Sequence, residues 1–193
     1  MTALHLAARF TSASVVRVIV EAGADVRAVD KDYMQTPLHI AAKFNPNADV
    51  IRALVEGGAV VDARADYNDY RWKQLTPLHF AARHNPSIAV IRALVDKGAD
   101  IDARDDRQWT PLHMAASSNP GKVKILIEKG ANVNVLDRGQ KSPLFYAAWN
   151  NNREAVIELC KAGANPHMGK NPLDAYNGVA DEMKTLIRFR QVH

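Results

Sequence analysis

Two apolar patterns alternate along this chain. The first is a compact block of hydroxyl residue, proline, leucine, histidine, apolar residue, alanine, alanine. Thr76-Pro77-Leu78-His79-Phe80-Ala81-Ala82 is its clearest copy. Thr76 suits a helix N-cap, because its hydroxyl can accept from an orphan backbone N–H. Pro77 suits the first helical position, where no N–H is needed. Ala81 and Ala82 are strong helix formers that permit close helix contact. Asn85-Pro86 stops this helix, since proline pushes the residue before it out of the α region. The second pattern is aliphatic. Val90, Ile91, Leu94 and Val95 fall on one face of a helix expected over Ser87 to Lys97. Gly98 is placed to end it in a left-handed conformation. Asp100 to Trp109 then reads as an extended hairpin.

The unit repeats. Hydroxyl starts at Thr2, Thr36, Thr76, Thr110 and Ser142 give spacings of 34, 40, 34 and 32 residues. Each start is followed by a Gly-Ala pair: Gly23-Ala24, Gly58-Ala59, Gly98-Ala99, Gly130-Ala131 and Gly163-Ala164. The expected units are about 1–28, 29–63, 64–103, 104–135 and 136–168, with a C-terminal cap over 169–193, all in one domain. In the cap, Asn171-Pro172-Leu173 keeps the shape of the motif, and Asp181 to Arg190 supplies a last helix. Met1 precedes the first N-cap by one residue, so the first unit lacks a hairpin.

Thr-Pro-Leu-His-x-Ala at near-33 spacing resembles the ankyrin-repeat family, over roughly residues 1–190. Departures are local. Asn45-Pro46, Asn85-Pro86 and Asn119-Pro120 replace the usual turn between helices, and Met34, Gln74, Gln108 and Gln140 stand where the hairpin has glycine. The resemblance implies an all-α solenoid of stacked helix pairs with short projecting β-hairpins. It also implies that His5, His39, His79 and His113 bond to neighbouring hairpins, and that a concave face binds proteins.

Composition leaves few rivals. The longest apolar run is six residues, Leu144 to Trp149, far short of the ~20 that span a membrane. One cysteine and no usable glycosylation sequon favour a reducing, intracellular and cytoplasmic setting. Cys160 reads as core. The four repeated histidines lie one repeat apart, too far to share one ion, so no metal is expected. No nucleophile elbow, phosphate loop or metalloprotease motif occurs, and no cofactor or catalytic residue is expected. The adjacent Asp105 and Asp106 read as a solvated hairpin tip. The net charge is +4. The inter-repeat hairpins hold eight Lys or Arg against seven Asp. Alternating signs argue against a phosphate-binding stripe, so no nucleic acid is expected.

Aromatic placement points to a binding surface. The tryptophans avoid the aliphatic second helices: Trp72 and Trp109 fall in hairpins, and Trp149 falls at the end of a first helix. Phe10, Phe44, Arg83 and His84 end first helices, and Tyr33, Lys73, Arg107 and Lys141 sit on hairpins. The hairpin between Ala63 and Thr76 is twelve residues long, against seven, six and six elsewhere, and adds Tyr67, Tyr70 and Arg71. Trp, Tyr and Arg dominate interface hot spots. The expectation is a non-catalytic, monomeric scaffold or adaptor for a protein partner, with Trp109 facing solvent. The alternative is a regulatory or targeting segment of a larger, enzymatic polypeptide.

Overall fold

The structure is a computed structural model that describes residues 1–66 and 73–170. Ten helices form among these residues: α1 (Ala3–Phe10), α2 (Ala13–Glu21), α3 (Pro37–Phe44), α4 (Ala48–Glu56), α5 (Pro77–His84), α6 (Ile88–Asp96), α7 (Pro111–Ala116), α8 (Pro120–Glu128), α9 (Pro143–Trp149) and α10 (Arg153–Lys161). They make five helix pairs in two layers. The first helices stack in the order α1, α3, α5, α7, α9, and the second helices in the order α2, α4, α6, α8, α10. None of the described helices is long and apolar enough to cross a membrane.

The core runs between the layers. The motif leucine and both alanines of α3, α5, α7 and α9 are fully buried, as are Leu54, Leu94, Leu126 and Leu159 of the second helices. Each unit seals against the next, so stability resides in neighbour interfaces. Cys160 packs partly buried against this core. The second helix of the third pair starts and stops within one residue of its expected bounds, with Ser87 as N-cap. Gly98 follows its C-cap with φ +92°. There its N–H donates to Val95 O at 2.9 Å, and Ala99 N–H to Leu94 O at 3.0 Å.

The hairpins are tighter than expected. No strand forms among the described residues, and only Ala65 and Leu75 make a bridge. The other three close across the turn through Asp30 N to Gln35 O, Asp105 N to Trp109 O and Asp137 N to Lys141 O, the last two with a further inner bond from Gln108 N to Asp105 O and from Gln140 N to Asp137 O. Three or four residues per arc leave no room for a ladder. The hairpins are instead tied to one another. Asp66 N–H donates to Tyr33 O, Asp106 N–H to Lys73 O and Arg138 N–H to Arg107 O, at 2.8 to 3.2 Å. The enlarged portion with Tyr67, Tyr70, Arg71 and Trp72, and the expected cap helix, lie outside the described residues.

Candidate partner-binding face

The hairpins are fastened to the first helices by histidine. In α1, α3, α5 and α7 the third residue of the helix is His5, His39, His79 or His113, each buried. The N-cap threonine's backbone N–H donates to the ring's Nδ1 at 3.1 to 3.2 Å. The other nitrogen, Nε2, lies 2.9 to 3.2 Å from a carbonyl of the next hairpin: Gln35, Leu75, Trp109 and Lys141 in turn. An amide N–H can only donate and a carbonyl can only accept. Nδ1 is therefore the bare nitrogen, and Nε2 carries the proton. The threonine Oγ1, 2.8 to 3.0 Å from Nδ1, gives its proton to the ring. Burial holds His39, His79 and His113 down to about 4, against an ordinary 6.5. The implied bonds to neighbouring hairpins are thus present. Where α9 has Phe145 at this place, Ser142 Oγ caps the helix itself, accepting from Phe145 N–H at 3.2 Å.

Aspartates shape the turns. Asp30 Oδ1 accepts from the N–H groups of Asp32 and Tyr33. Asp105 Oδ1 accepts from Arg107 and Trp109. Asp105 is buried, which corrects its reading as a solvated tip. Its second oxygen, Oδ2, is also buried and accepts no bond among the described residues. That burial pushes the carboxyl up to about 6 despite the two amides.

Trp109 needs the larger correction. It is 8% exposed and belongs to the core. Its ring lies 4.3 Å, centroid to centroid, from Tyr146, and its Nε1–H donates to Asp137 Oδ2 at 3.0 Å. Tyr146 donates its hydroxyl to the same oxygen at 2.6 Å, and its own ionisation is pushed up by burial and by that carboxylate. Trp109 therefore joins two hairpins and a first helix. In the three central units the residue before the motif faces inward: Gln35 and Leu75, at the same register as Trp109, are also buried. An aliphatic Leu75 at that register was the available sequence signal.

The remaining predicted residues divide by exposure. Phe10 is 70% exposed, Trp149 47% and Phe44 37%. Tyr33, Arg83, His84, Arg107 and Lys141 are half-buried, and Lys73 is exposed. Cations cover several rings. The Arg9 guanidinium lies 4.1 Å from the Phe44 ring centre and 4.9 Å from that of Phe10. The Lys43 ammonium lies 4.6 Å from Phe44 and 6.0 Å from Phe80. Lys141 lies 4.9 Å from Phe145 and 6.0 Å from Trp149, and those two rings stack at 5.9 Å. Arg83 Nη1 reaches Met114 Sδ at 3.8 Å. Burial and the Arg9 charge lower Lys43. Burial, then Arg83, Lys43 and Lys122, bring His84 down to about 4. The structure thus gathers Arg9, Phe10, Lys43, Phe44, Arg83 and His84 on one stretch of first-helix surface. Trp149 and Lys141 form a separate group further along.

The sequence of this chain is matched by the family model described as ankyrin repeats (3 copies), over residues 4–105 and again over 100–170. The chain is an ankyrin-repeat protein. No curated protein matches it. Ankyrin repeats are generally protein-interaction modules and are typically non-enzymatic, in keeping with a face built of rings and cations. Sequence reasoning missed two features of this ankyrin array. Lys122, in the first turn of α8, is 3% exposed, and burial brings it down to about 8. Asn45 and Asn85 are stitches as well as helix stops. Asn85 Nδ2 donates to Ala42 O and Asn45 O of the preceding pair, both at 2.9 Å, and Asn45 repeats this with Ala8 O and Thr11 O. Asn119 departs from the pattern and caps α8 through Gly121 N.

Proposed function

We propose that this chain is a non-catalytic protein-binding module that seats its partner on the first-helix face and the hairpin edge. One observation carries the reading. Phe10, Phe44 and Trp149 remain exposed at the ends of first helices whose opposite sides are fully buried. Rings presented by a rigid base lose little entropy on binding, so their contact area converts efficiently to affinity. Arg83, His84 and Lys141 flank them, and Tyr33, Lys73 and Arg107 extend the surface along the hairpins. Tyr67, Tyr70, Arg71 and Trp72 belong to this proposed edge by their place in the sequence. Trp109 acts from beneath, by fixing its hairpin.

The test pairs stability with affinity. Phe44→Ala and Trp149→Ala should each weaken binding to a partner isolated from the native source by about 2 kcal/mol or more. Their melting temperatures should fall little, since exposed side chains usually contribute within about 0.5 kcal/mol. Unchanged affinity in both folded variants would move the partner to the second-helix face.

A further inference from the structure

The chemistry of the partner follows from charge placement on this face, and the inference rests on the reading just given. Seven residues after each motif start stand Arg9, Lys43, Arg83, Ser117 and Trp149. Three consecutive first helices therefore carry a cation at one register, and the last two carry none. The five first helices contain no Asp or Glu. Asp30 and the exposed Asp32 line the same groove as Arg9, Lys43 and Phe44, but several carboxylates elsewhere are engaged. Glu56, Asp96 and Glu128 pair with Lys97, Lys129 and Arg92 along the second helices, at 2.6 to 3.4 Å. Hairpin carboxylates Asp30 and Asp105 are turned onto their own backbone amides.

Lys122 of α8 adds positive charge near His84, at the α5 end of this face. It is a buried ammonium with no carboxylate bonded to it among the described residues, close enough to lower His84.

We infer that the half of the first-helix face formed by α1, α3 and α5 takes an acidic linear peptide segment, with carboxylates against Arg9, Lys43 and Arg83 and an apolar side chain against Phe10 and Phe44. Charge complementarity selects the occupant. An arriving carboxylate relieves repulsion among three like charges, and the exposed rings supply the apolar contact. Single-stranded nucleic acid fits less well. It needs open ring faces for base stacking, whereas Arg9 and Lys43 already cover Phe44 and leave only its partly exposed remainder for an apolar side chain.

The experiment is a selection of random peptides about twelve residues long, a length suited to one extended groove-bound segment, against the intact protein. The recovered peptides should be enriched in Asp and Glu over the input. Their affinity should fall roughly tenfold in Lys43→Gln or Arg83→Gln and should weaken as salt is raised. Circular dichroism verifies that each variant is folded, and the two single variants stand in for one another if either is not. Peptides without acidic excess that are nonetheless lost in Phe44→Ala or Trp149→Ala would overturn the acidic occupant and leave the binding face standing. Peptides indifferent to all four substitutions would overturn both readings. A selection that yields no binder, or a labelled single-stranded oligonucleotide that binds more tightly than the peptides, would also overturn the acidic-peptide assignment.

Discussion

Acidification from about pH 7.5 to pH 5 should strip this protein of about 5 kcal/mol of stability, the net of three buried histidines and one buried aspartate. His39, His79 and His113 are held neutral down to about 4, whereas the exposed ring titrates at 6.5. Between those values the unfolded chain binds protons that the folded chain refuses. Stability is therefore full above 6.5 and is lost as pH falls toward 4. At pH 5 linkage gives about 2 kcal/mol per ring. Asp105 works the other way. Its carboxyl is pushed up to about 6 from 3.8, so the folded state takes that proton first and regains about 1 kcal/mol at pH 5. Protonation also breaks a bond: a proton on Nδ1 meets the threonine N–H that donates there. Urea unfolding followed by circular dichroism at the two pH values, at constant ionic strength, measures the loss. A single His79→Gln variant should retain roughly two thirds of the pH dependence. Equal or greater stability at pH 5 would show that these rings are not held neutral.

Three further outcomes are expected from the packing. Asn85→Ala should cost about 1–3 kcal/mol in urea unfolding, because it strands the carbonyls of Ala42 and Asn45; a neutral result would mean that water replaces the stitch. Trp109→Ala should cost about 3–5 kcal/mol, read as a lower melting temperature, since Trp109 is packed on Tyr146 and bonded to Asp137; an unaltered melting point would return it to the surface. Gln140→Gly should raise the melting temperature, with a gain of up to about 1 kcal/mol, because Gln140 is exposed and sits at φ +58°; a loss would show that its side chain supports the turn.

Much of this arrangement was legible because the sequence repeats its own boundaries. Thr76-Pro77 marks where α5 begins and Gly98 marks where the chain leaves α6, each for a backbone reason that acts locally. Met34, Gln74, Gln108 and Gln140, noted as replacing hairpin glycine, do hold left-handed φ of 56° to 64°. What was not legible depends on contacts one repeat away. Trp109 looked like a hairpin ring, yet its burial comes from Tyr146 and Asp137 of the next unit. Asp105 looked solvated because its amide partners are local but its burial is not. Counting charge along hairpins hid the column of Arg9, Lys43 and Arg83, which emerges only when the first helices are aligned by register. Lys122 resembled any surface lysine on an amphipathic helix until packing enclosed it.

The most direct test of the binding face is amide hydrogen exchange in the free protein and with a selected peptide bound at saturation. Binding on this face should slow exchange in the last turns of α1, α3 and α5 and in the hairpin at residues 30–35, while α4, α6 and α8 exchange as before. Protection confined to the second helices, with the first helices and hairpins unchanged, would contradict the account.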